Sequence, residues 1–212
     1  MGEEACIGIF GGTFDPIHNG HLIMAKAARE TVNLTRIMFV PAGQPWFKSD
    51  KAVSAAVQRL EMVRLATASN SCFEVLTAEM ERVGPSYTAD TVAILRAQWG
   101  PKVGLFLILG VDALLGLPQW KEPAYLVQES QFVALPRAGC RFRGLDTLEA
   151  TLPEISERVV RLEVPEIDIS STDIRDRVAR GLSIHDLVPE EVETYILEQG
   201  LYARSLGRSG GV

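Results

Sequence analysis

The sequence is short of cysteine. Cys6, Cys72 and Cys140 are the only three among 212 residues, and they lie far apart in the chain. A disulfide framework needs an even set of cysteines, and a structural zinc site needs ligands at short, regular spacing, so neither is indicated. We therefore expect isolated thiols.

Long hydrophobic runs are absent as well. No apolar stretch of the sequence approaches the roughly 18 residues that are needed to span a bilayer. The first five residues include two glutamates and no basic residue, which is unlike a secretory signal. We predict a cytoplasmic protein with no membrane partner.

Basic residues are too few for a general nucleic-acid surface. The chain has 21 lysines and arginines against 27 aspartates and glutamates, which gives a net charge of -6. Proteins that bind nucleic acid generally carry a basic excess or a basic stripe. We therefore predict no nucleic-acid partner, and any phosphate-bearing ligand has to be bound by a local site.

The remaining composition is typical of one folded domain. Apolar residues make up 47% of the chain and charged residues 23%, which excludes wholesale disorder. We predict one domain over residues 1–203 of the 212, with a small C-terminal helical part at about residues 171–203. We expect residues 204–212 to form a disordered tail.

Short apolar runs alternate with longer segments of helical period. The strand candidates are residues 6–10, 37–40, 103–109, 132–135 and 159–164. The residues expected on the apolar faces of the helices are Val57, Leu60, Val63, Val92, Leu95, Trp99, Val192 and Ile196. This alternation predicts an α/β fold with a Rossmann-like, doubly wound parallel sheet, in which ligands bind beyond the carboxyl ends of the strands.

A glycine- and histidine-rich segment follows the first strand candidate. Residues 12–21 read Gly-Thr-Phe-Asp-Pro-Ile-His-Asn-Gly-His and lead into a helical segment from Leu22. The glycines permit close approach of the backbone to a ligand, and a helix start favours phosphate. His18 and His21 lie about one turn apart, so both imidazoles can donate hydrogen bonds to phosphoryl oxygens. The alternatives are one capping or packing histidine beside a surface histidine, or a metal site, which would need a third ligand.

A second polar segment follows the last strand candidate. Residues 169–175 read Ile-Ser-Ser-Thr-Asp-Ile-Arg, and Ser170 and Asp173 have the spacing of a helix capping box. The hydroxyls of this segment and the Arg175 guanidinium together can bind the outer phosphates of a nucleotide at a helix N-terminus. The alternative is that the segment serves only as a helix cap.

The two segments together resemble the signature pair of the nucleotidyltransferase superfamily related to class I aminoacyl-tRNA synthetases. Within it, the middle of the chain is similar to the bacterial nicotinate-mononucleotide adenylyltransferases, and the match runs from Ile7 to about Tyr202. The matching stretches are residues 44–48, 54–62, 85–91, 110–114 and 117–121. One departure is Trp46-Phe47 before Lys48, where many members carry His-Lys.

This resemblance implies transfer of AMP from ATP to nicotinate mononucleotide, which yields nicotinate adenine dinucleotide and pyrophosphate in NAD biosynthesis. It implies no covalent enzyme intermediate. It also implies Mg²⁺ held chiefly by substrate phosphates and water, with no protein metal ligands. The sequence is compatible with a homo-oligomer.

The resemblance also assigns roles to residues. The implied catalytic residues are His18, His21 and Arg175. The implied ATP-binding residues are Gly12, Thr13, Phe14, His18, His21, Gly110, Asp112, Ile169, Ser171, Thr172 and Arg175. The implied mononucleotide-binding residues are Lys48, Tyr87, Thr88 and Trp120, with Trp120 stacking on the pyridinium ring.

Several alternatives stay open at this point. Asp112 either accepts ribose hydroxyls or is a helix N-cap, and Trp120 either stacks on the ligand or packs in the core. At the level of function, the alternatives are a phosphopantetheine adenylyltransferase, a nucleotide-binding sensor without turnover, and a tRNA-handling protein.

Overall fold

The computed structural model describes residues 5–44, 53–135, 144–163 and 167–203. Its centre is a parallel sheet with the strand order β3-β2-β1-β4-β5-β6. The strands are β1 Cys6–Gly12, β2 Arg36–Pro41, β3 Phe73–Val75, β4 Gly104–Gly110, β5 Gln131–Leu135 and β6 Val159–Arg161. The predicted Rossmann-like sheet is confirmed, with the strand order that this fold ordinarily has.

The strand predictions miss one strand and make another too long. β3 was not predicted, because three residues are too few to show a period. The predicted strand at residues 159–164 is too long: β6 ends at Arg161, and Leu162 and Glu163 follow it outside the strand. Val164 lies outside the described residues.

Helices connect the strands and cover both faces of the sheet. They are α1 Asn19–Thr31, α2 Ala56–Thr67, α3 Ala78–Glu81, α4 Thr88–Trp99, α5 Val111–Leu115, α6 Pro123–Glu129, α7 Leu145–Thr151, α8 Ile155–Arg158, α9 Ser171–Ala179 and α10 Glu190–Glu198. A short 3-10 turn, Leu117–Gln119, lies between α5 and α6. Within the described residues, no helix combines the length and the apolar character needed to cross a bilayer.

The sheet separates two hydrophobic cores. Along β4, Phe106 and Ile108 point into the first core, whereas Leu105, Leu107 and Leu109 point into the second. This alternation buries both faces of the strand, as the unbroken apolar run at residues 103–109 predicts. The first core is covered by α1, α2, α9 and α10, and the second by α4, α6, α7 and α8. Burial on both faces is the physical basis of the doubly wound arrangement.

The predicted docking face of α2 is correct only in part. Val63 is fully buried as predicted and Leu60 is half-buried, but Val57 is 70% exposed. The buried face also includes Arg59, Met62 and Ala66. At about 100° per residue, Val57 lies half a turn away from Ala66 and therefore points to solvent. The predicted faces of α4 and α10 are correct, since Val92, Leu95, Val192 and Ile196 are fully buried.

The C-terminal helical part packs against the first core. Ile174 of α9 and Val192 and Ile196 of α10 are fully buried there. The predicted limits of the domain stay a prediction, and the predicted tail at residues 204–212 lies outside the described residues.

The two central strands part at their carboxyl ends. β1 and β4 pair from Cys6↔Gly104 to Ile9↔Leu107. Beyond that point β1 continues beside β2 to Gly12↔Pro41, while β4 continues beside β5 to Gly110↔Leu135. Roughly 10 Å of each strand therefore lies past the last β1–β4 pair. This is the point where the strand order reverses direction, and an α/β sheet binds its ligand there.

Candidate active site

The loop after β1 turns sharply above the parting of the strands. A Cβ atom at Gly12 would lie 2.9 Å from the Phe14 ring, so the turn requires glycine. Phe14 has a positive φ of 48° and is buried, with its ring edge-on to Phe10 at 5.8 Å. The turn carries Thr13 across the end of β1 and leads to the start of α1.

His18 and His21 lie together at the start of α1. Their rings stack at 3.7 Å between centroids, with 29° between their planes. The backbone N–H of His18 donates to Nδ1 of His21 at 3.2 Å. Because Nδ1 accepts, a neutral His21 ring carries its proton on Nε2. The edges of Phe10 and Phe14 hold this ring from the side, at 5.9 and 5.2 Å.

The His18 imidazole is buried and uncharged. It is 4% exposed, and burial lowers its pKa from 6.5 to about 4. Its Nδ1 is buried without a hydrogen-bond partner among the described residues, which is unusual and fits a group that meets a ligand or water. His18 is also the N-cap residue of α1, so the alternative of a capping histidine is correct for the position of its backbone.

The second polar segment packs directly against this loop. The Ser171 hydroxyl donates to the Pro16 carbonyl at 2.9 Å, and Nη1 of Arg175 donates to the Asp15 carbonyl at 2.6 Å. A Cβ atom at Gly20 would lie 3.1 Å from Ile167, so the chain just before the segment also lies beside the first turn of α1. Two sequence segments separated by 155 residues thus form one site.

The start of α9 combines a cap with potential phosphate donors. The Ser170 hydroxyl accepts the Asp173 N–H at 3.0 Å, which confirms the predicted cap. The Thr172 hydroxyl is exposed and accepts Nη2 of Arg175 at 3.3 Å. Because the only proton of the Ser171 hydroxyl points to Pro16, Ser171 can reach a phosphate through its backbone N–H but not by donating from its side chain. Ile169 is half-buried and packs against the first core.

Gly110 and Asp112 lie at the carboxyl end of β4. Gly110 is the N-cap of α5, and Asp112 is in the first turn of that helix. The alternative in which Asp112 is the N-cap is therefore wrong. A Cβ atom at Gly110 would lie 2.6 Å from Oδ1 of Asp112, so glycine lets this exposed carboxylate approach the strand end.

The predicted mononucleotide residues meet at the start of α4. Tyr87 is the N-cap of this helix and Thr88 is its first residue. The Ser86 hydroxyl accepts the N–H groups of Gly43 at 3.0 Å and Gln44 at 3.3 Å, which fixes the helix start beside the end of β2. The first turn of α4 therefore lies beside the carboxyl end of β2, at the ligand-binding edge of the sheet.

Trp120 lies across from this helix start. It is half-buried and packs against the second core. Nζ of the next residue, Lys121, lies 2.6 Å from Oδ1 of Asp90 and 5.2 Å from the centre of the Tyr87 ring. These contacts bring the Trp120 segment next to the start of α4. Lys48, the fourth predicted mononucleotide residue, lies outside the described residues.

Three residues of the site were not assigned a role from the sequence. Asp15 is 5% exposed, and its carboxylate accepts the Tyr202 hydroxyl at 2.7 Å. Arg59 is 1% exposed and donates to the carbonyls of Thr13 at 2.8 Å, Ser54 at 3.0 Å and Gly43 at 3.1 Å. One sequence signal could have found Arg59. It lies on the same helical face as the apolar residues Met62, Val63 and Ala66.

Comparison with known proteins identifies the family. A family model described as cytidylyltransferase-like matches residues 9–177, which include both signature segments. A relative from Moorella thermoacetica is 48% identical over 197 residues, covering 92% of this chain and 91% of its own. A relative from Dehalococcoides mccartyi strain 195 is 44% identical over 197 residues, covering 93% and 97%. Both bear the name "Probable nicotinate-nucleotide adenylyltransferase".

The chain belongs to the nicotinate-nucleotide adenylyltransferase family. It is therefore a nucleotidyltransferase, and the predicted family and enzyme class are confirmed. Solved structures of nicotinate-nucleotide adenylyltransferases confirm the predicted fold class. The Plasmodium falciparum enzyme complexed with NaAD has a TM-score of 0.76 at 20% identity, covering 94% of this chain and 98% of its own. The same enzyme complexed with APC has a TM-score of 0.74 at 19% identity.

Proposed function

We propose that the chain transfers the adenylyl group of ATP to nicotinate mononucleotide, with release of pyrophosphate, as its family membership indicates. The observation that carries the assignment of the site is the convergence of His18, His21 and Arg175. The two histidines stack on each other, and the distant segment that carries Arg175 is bonded to the histidine loop through the carbonyls of Asp15, which accepts Arg175, and Pro16, which accepts Ser171.

The chemistry requires donors of hydrogen bonds and no general base. The attacking 5′-phosphate is ionised at neutral pH, so the barrier consists mainly of charge crowding and alignment. A neutral imidazole offers one N–H donor, and a donor held rigidly in a dry site stabilises developing negative charge. The stacked, edge-packed rings of His18 and His21 meet this requirement because their orientations are fixed before substrate binds.

Arg175 supplies the positive charge at the same place. One of its N–H groups is bound to the Asp15 carbonyl, which orients the planar guanidinium, and other N–H groups are available to the β- and γ-phosphates of ATP. The backbone N–H groups of Ser171 and Thr172 add neutral donors at the start of α9. Gly110 and Asp112 at the end of β4 are assigned to the ribose.

A magnesium ion fits this site only as a companion of the phosphates. Among the described residues there is no group of three or more His, Cys, Asp or Glu side chains that could hold a metal ion. Magnesium prefers oxygen ligands, whereas the described side chains assigned to the phosphates are imidazoles and a guanidinium, and the Asp112 carboxylate is assigned to the ribose. Such an ion would be held by phosphate oxygens and water, where it neutralises phosphate charge.

The acid group of the pyridine is assigned to the start of α4. Backbone N–H groups near Tyr87 and Thr88 are suited to a carboxylate, because the N-terminus of a helix carries partial positive charge. Trp120 is assigned to the pyridinium ring, with an expected attraction of about 0.5–2 kcal/mol. Lys48 is assigned to phosphate. A cytoplasmic location and the oligomeric state stay predictions.

The acceptor can be identified directly. Purified protein is incubated with ATP, magnesium and one acceptor at a time, and pyrophosphate release and product mass are measured. We expect nicotinate mononucleotide to be the preferred acceptor over nicotinamide mononucleotide, with no adenylylation of phosphopantetheine. Preferred use of phosphopantetheine, or ATP binding without turnover on any acceptor, would contradict the proposal.

The donor assignment is tested by substitution of each histidine. We expect His18→Ala and His21→Ala to lower turnover by roughly 10²-fold or more, the effect of removing one preorganised transition-state donor. His185→Ala is the matched control, because His185 is an exposed histidine near α10 that contacts Glu193. Near-normal turnover in both His18→Ala and His21→Ala, with the fold intact by circular dichroism, would rule out the donor roles.

A further inference from the structure

Asp15 connects the two halves of the candidate site through its backbone. Its carbonyl accepts Nη1 of Arg175 at 2.6 Å, and the carbonyl of the next residue, Pro16, accepts the Ser171 hydroxyl at 2.9 Å. The position of this dipeptide therefore determines where the Arg175 guanidinium and the start of α9 lie relative to the histidine loop.

The backbone of Asp15 is in turn fixed by its own side chain. Oδ1 accepts the Tyr202 hydroxyl at 2.7 Å, and Oδ2 accepts the Ser54 N–H at 3.3 Å. Asp15 is 5% exposed, so water competes little for these bonds. Hydrogen bonds to a charged group in such surroundings are stronger than bonds between neutral groups.

The other charge of this cluster is Arg59. Its guanidinium binds carbonyls of three separate segments and also attracts the Asp15 carboxylate, which partly offsets the fall in the pKa of Arg59 caused by burial. The carboxylate is therefore bound by the Tyr202 hydroxyl and the Ser54 N–H, and the nearby Arg59 cation attracts it. Substitution of Arg59 would leave either a cavity or a buried charge without its partners. Removal of the Tyr202 hydroxyl leaves neither at the Tyr202 side chain.

Tyr202 reaches this cluster from the C-terminal end of the described chain. Its backbone has a positive φ of 63°, an uncommon conformation for tyrosine that persists only where surrounding contacts require it. Burial and the bond to Asp15 raise the pKa of Tyr202, so the hydroxyl keeps its proton and donates throughout the physiological pH range. The side chain also contacts Met62 of α2, with its oxygen 3.9 Å from the sulfur.

We propose that Tyr202 is a positioning residue that acts on Arg175 through Asp15. The hydroxyl holds the Asp15 carboxylate, the carboxylate fixes the Asp15 backbone, and the Asp15 carbonyl aims the guanidinium at the outer phosphates of ATP. The C-terminal helical part thus contributes to ATP binding without touching the nucleotide. This inference rests on the proposed role of Arg175 as an ATP ligand.

The test uses Tyr202→Phe, which removes one hydroxyl and keeps the ring. We expect the Kd for ATP, measured by calorimetry, and the KM for ATP to rise roughly tenfold, the equivalent of losing one hydrogen bond to a charged group. The KM for nicotinate mononucleotide should change less than twofold. Tyr195→Phe is the matched control, because Tyr195 packs on the same core from α10 and should leave both constants unchanged.

A double-mutant cycle separates positioning from general loosening of the fold. In the Arg175→Ala background, Tyr202→Phe should raise the Kd for ATP by less than twofold, because the residue through which it acts is gone. An undiminished tenfold effect in that background would overturn the proposal, as would equal changes for both substrates or a fall in melting temperature with unchanged ATP binding. Adenylyl transfer by the wild-type chain tests the proposed function separately, since it does not depend on these outcomes.

Discussion

His18 makes the stability of the protein depend on pH in a defined window. Its pKa is about 4 in the folded chain and 6.5 without burial, so below pH 6.5 the unfolded chain binds a proton more readily than the folded one. The contribution of the neutral imidazole is therefore complete above pH 6.5 and is lost as the pH falls towards 4. The loss amounts to about 3.5 kcal/mol at most, at about 1.4 kcal/mol per pKa unit.

We accordingly predict that His18→Gln reduces the fall in unfolding free energy between pH 7 and pH 4.5, measured by urea denaturation. His185→Gln is the control. Hydrogen bonding to Glu193 and the charge of Asp186 raise the pKa of His185, so its contribution is present at low pH and is lost as the pH rises through the raised value. An acid-side loss as large in His18→Gln as in the wild type would show that His18 is not the group responsible.

In the proposed site, Trp120 stacks on the pyridinium ring, which the acid and amide forms of the substrate share. Discrimination between ligands comes only from contacts that differ between them. We therefore predict that Trp120→Ala weakens binding of nicotinate mononucleotide by about 0.5–2 kcal/mol and leaves the acid-to-amide preference largely unchanged. Steady-state kinetics with both mononucleotides measure this. Loss of the preference would mean that the indole orients the carboxylate, and lower stability with normal kinetics would mean that Trp120 serves the second core alone.

At the scale of elements, α9 places the Arg175 side chain about one turn after the helix N-terminus. We predict that Arg175→Ala raises the KM for ATP about tenfold or more while the KM for nicotinate mononucleotide changes little, and that Arg175→Lys recovers only part of the loss, because lysine lacks the two-pronged geometry. Arg177→Ala is the control on the same helix, where the side chain binds the Ser183 carbonyl. Initial rates with each substrate varied in turn decide the matter, and equal changes in both constants would contradict the assignment.

The start of α9 was predicted correctly from the sequence. The Ser170 cap was predicted from spacing alone, because the bond it makes is local. Of the predicted α2 face, Val63 was correct and Val57 was wrong, since the sequence offers both Val57 and the set around Met62 as apolar candidates, and tertiary packing decides between them. A buried arginine within the true face, Arg59, obscured that face further.

At the scale of the whole molecule, sequence patterns predicted a parallel sheet and the two motifs, but they did not predict the contacts between the motifs. Alternating strands and helices, with the fixed handedness of their connections, predict a doubly wound parallel sheet, although the three-residue β3 was missed. The bonds of Asp15 with Arg175 and Tyr202 span 160 and 187 residues, and no local pattern encodes such a pairing. Sequence reasoning therefore proposed side chains for ligand binding, which stays a prediction, and missed the residues Asp15, Arg59 and Tyr202 that contact their loop and one another.

The centre of the sheet is packed tightly enough to exclude a single methyl group. A Cβ atom at Gly8 of β1 would lie 2.8 Å from Leu34 and 2.9 Å from Ile108. We predict that Gly8→Ala lowers the unfolding free energy by about 1–3 kcal/mol through overpacking. Gly11→Ala on the same strand is the control, because nothing lies within 4 Å of its Cβ position. Chemical denaturation compares the two variants, and similar stabilities would mean that the first core relaxes around the added group.

The parting of β1 and β4 also bears on how freely such a sequence can diverge. Past Ile9 and Leu107, the groups that line the opening between these strands include main-chain N–H and C=O groups, which every residue type except proline provides alike. Substitutions that preserve the strands leave these groups in place. A sheet of this shape can thus be retained in a chain that shares only 20% of its residues, as in the Plasmodium falciparum enzyme. Backbone groups that line the opening are kept whenever the fold is kept. The two histidines and Arg175 are kept only if each of these residues is itself retained.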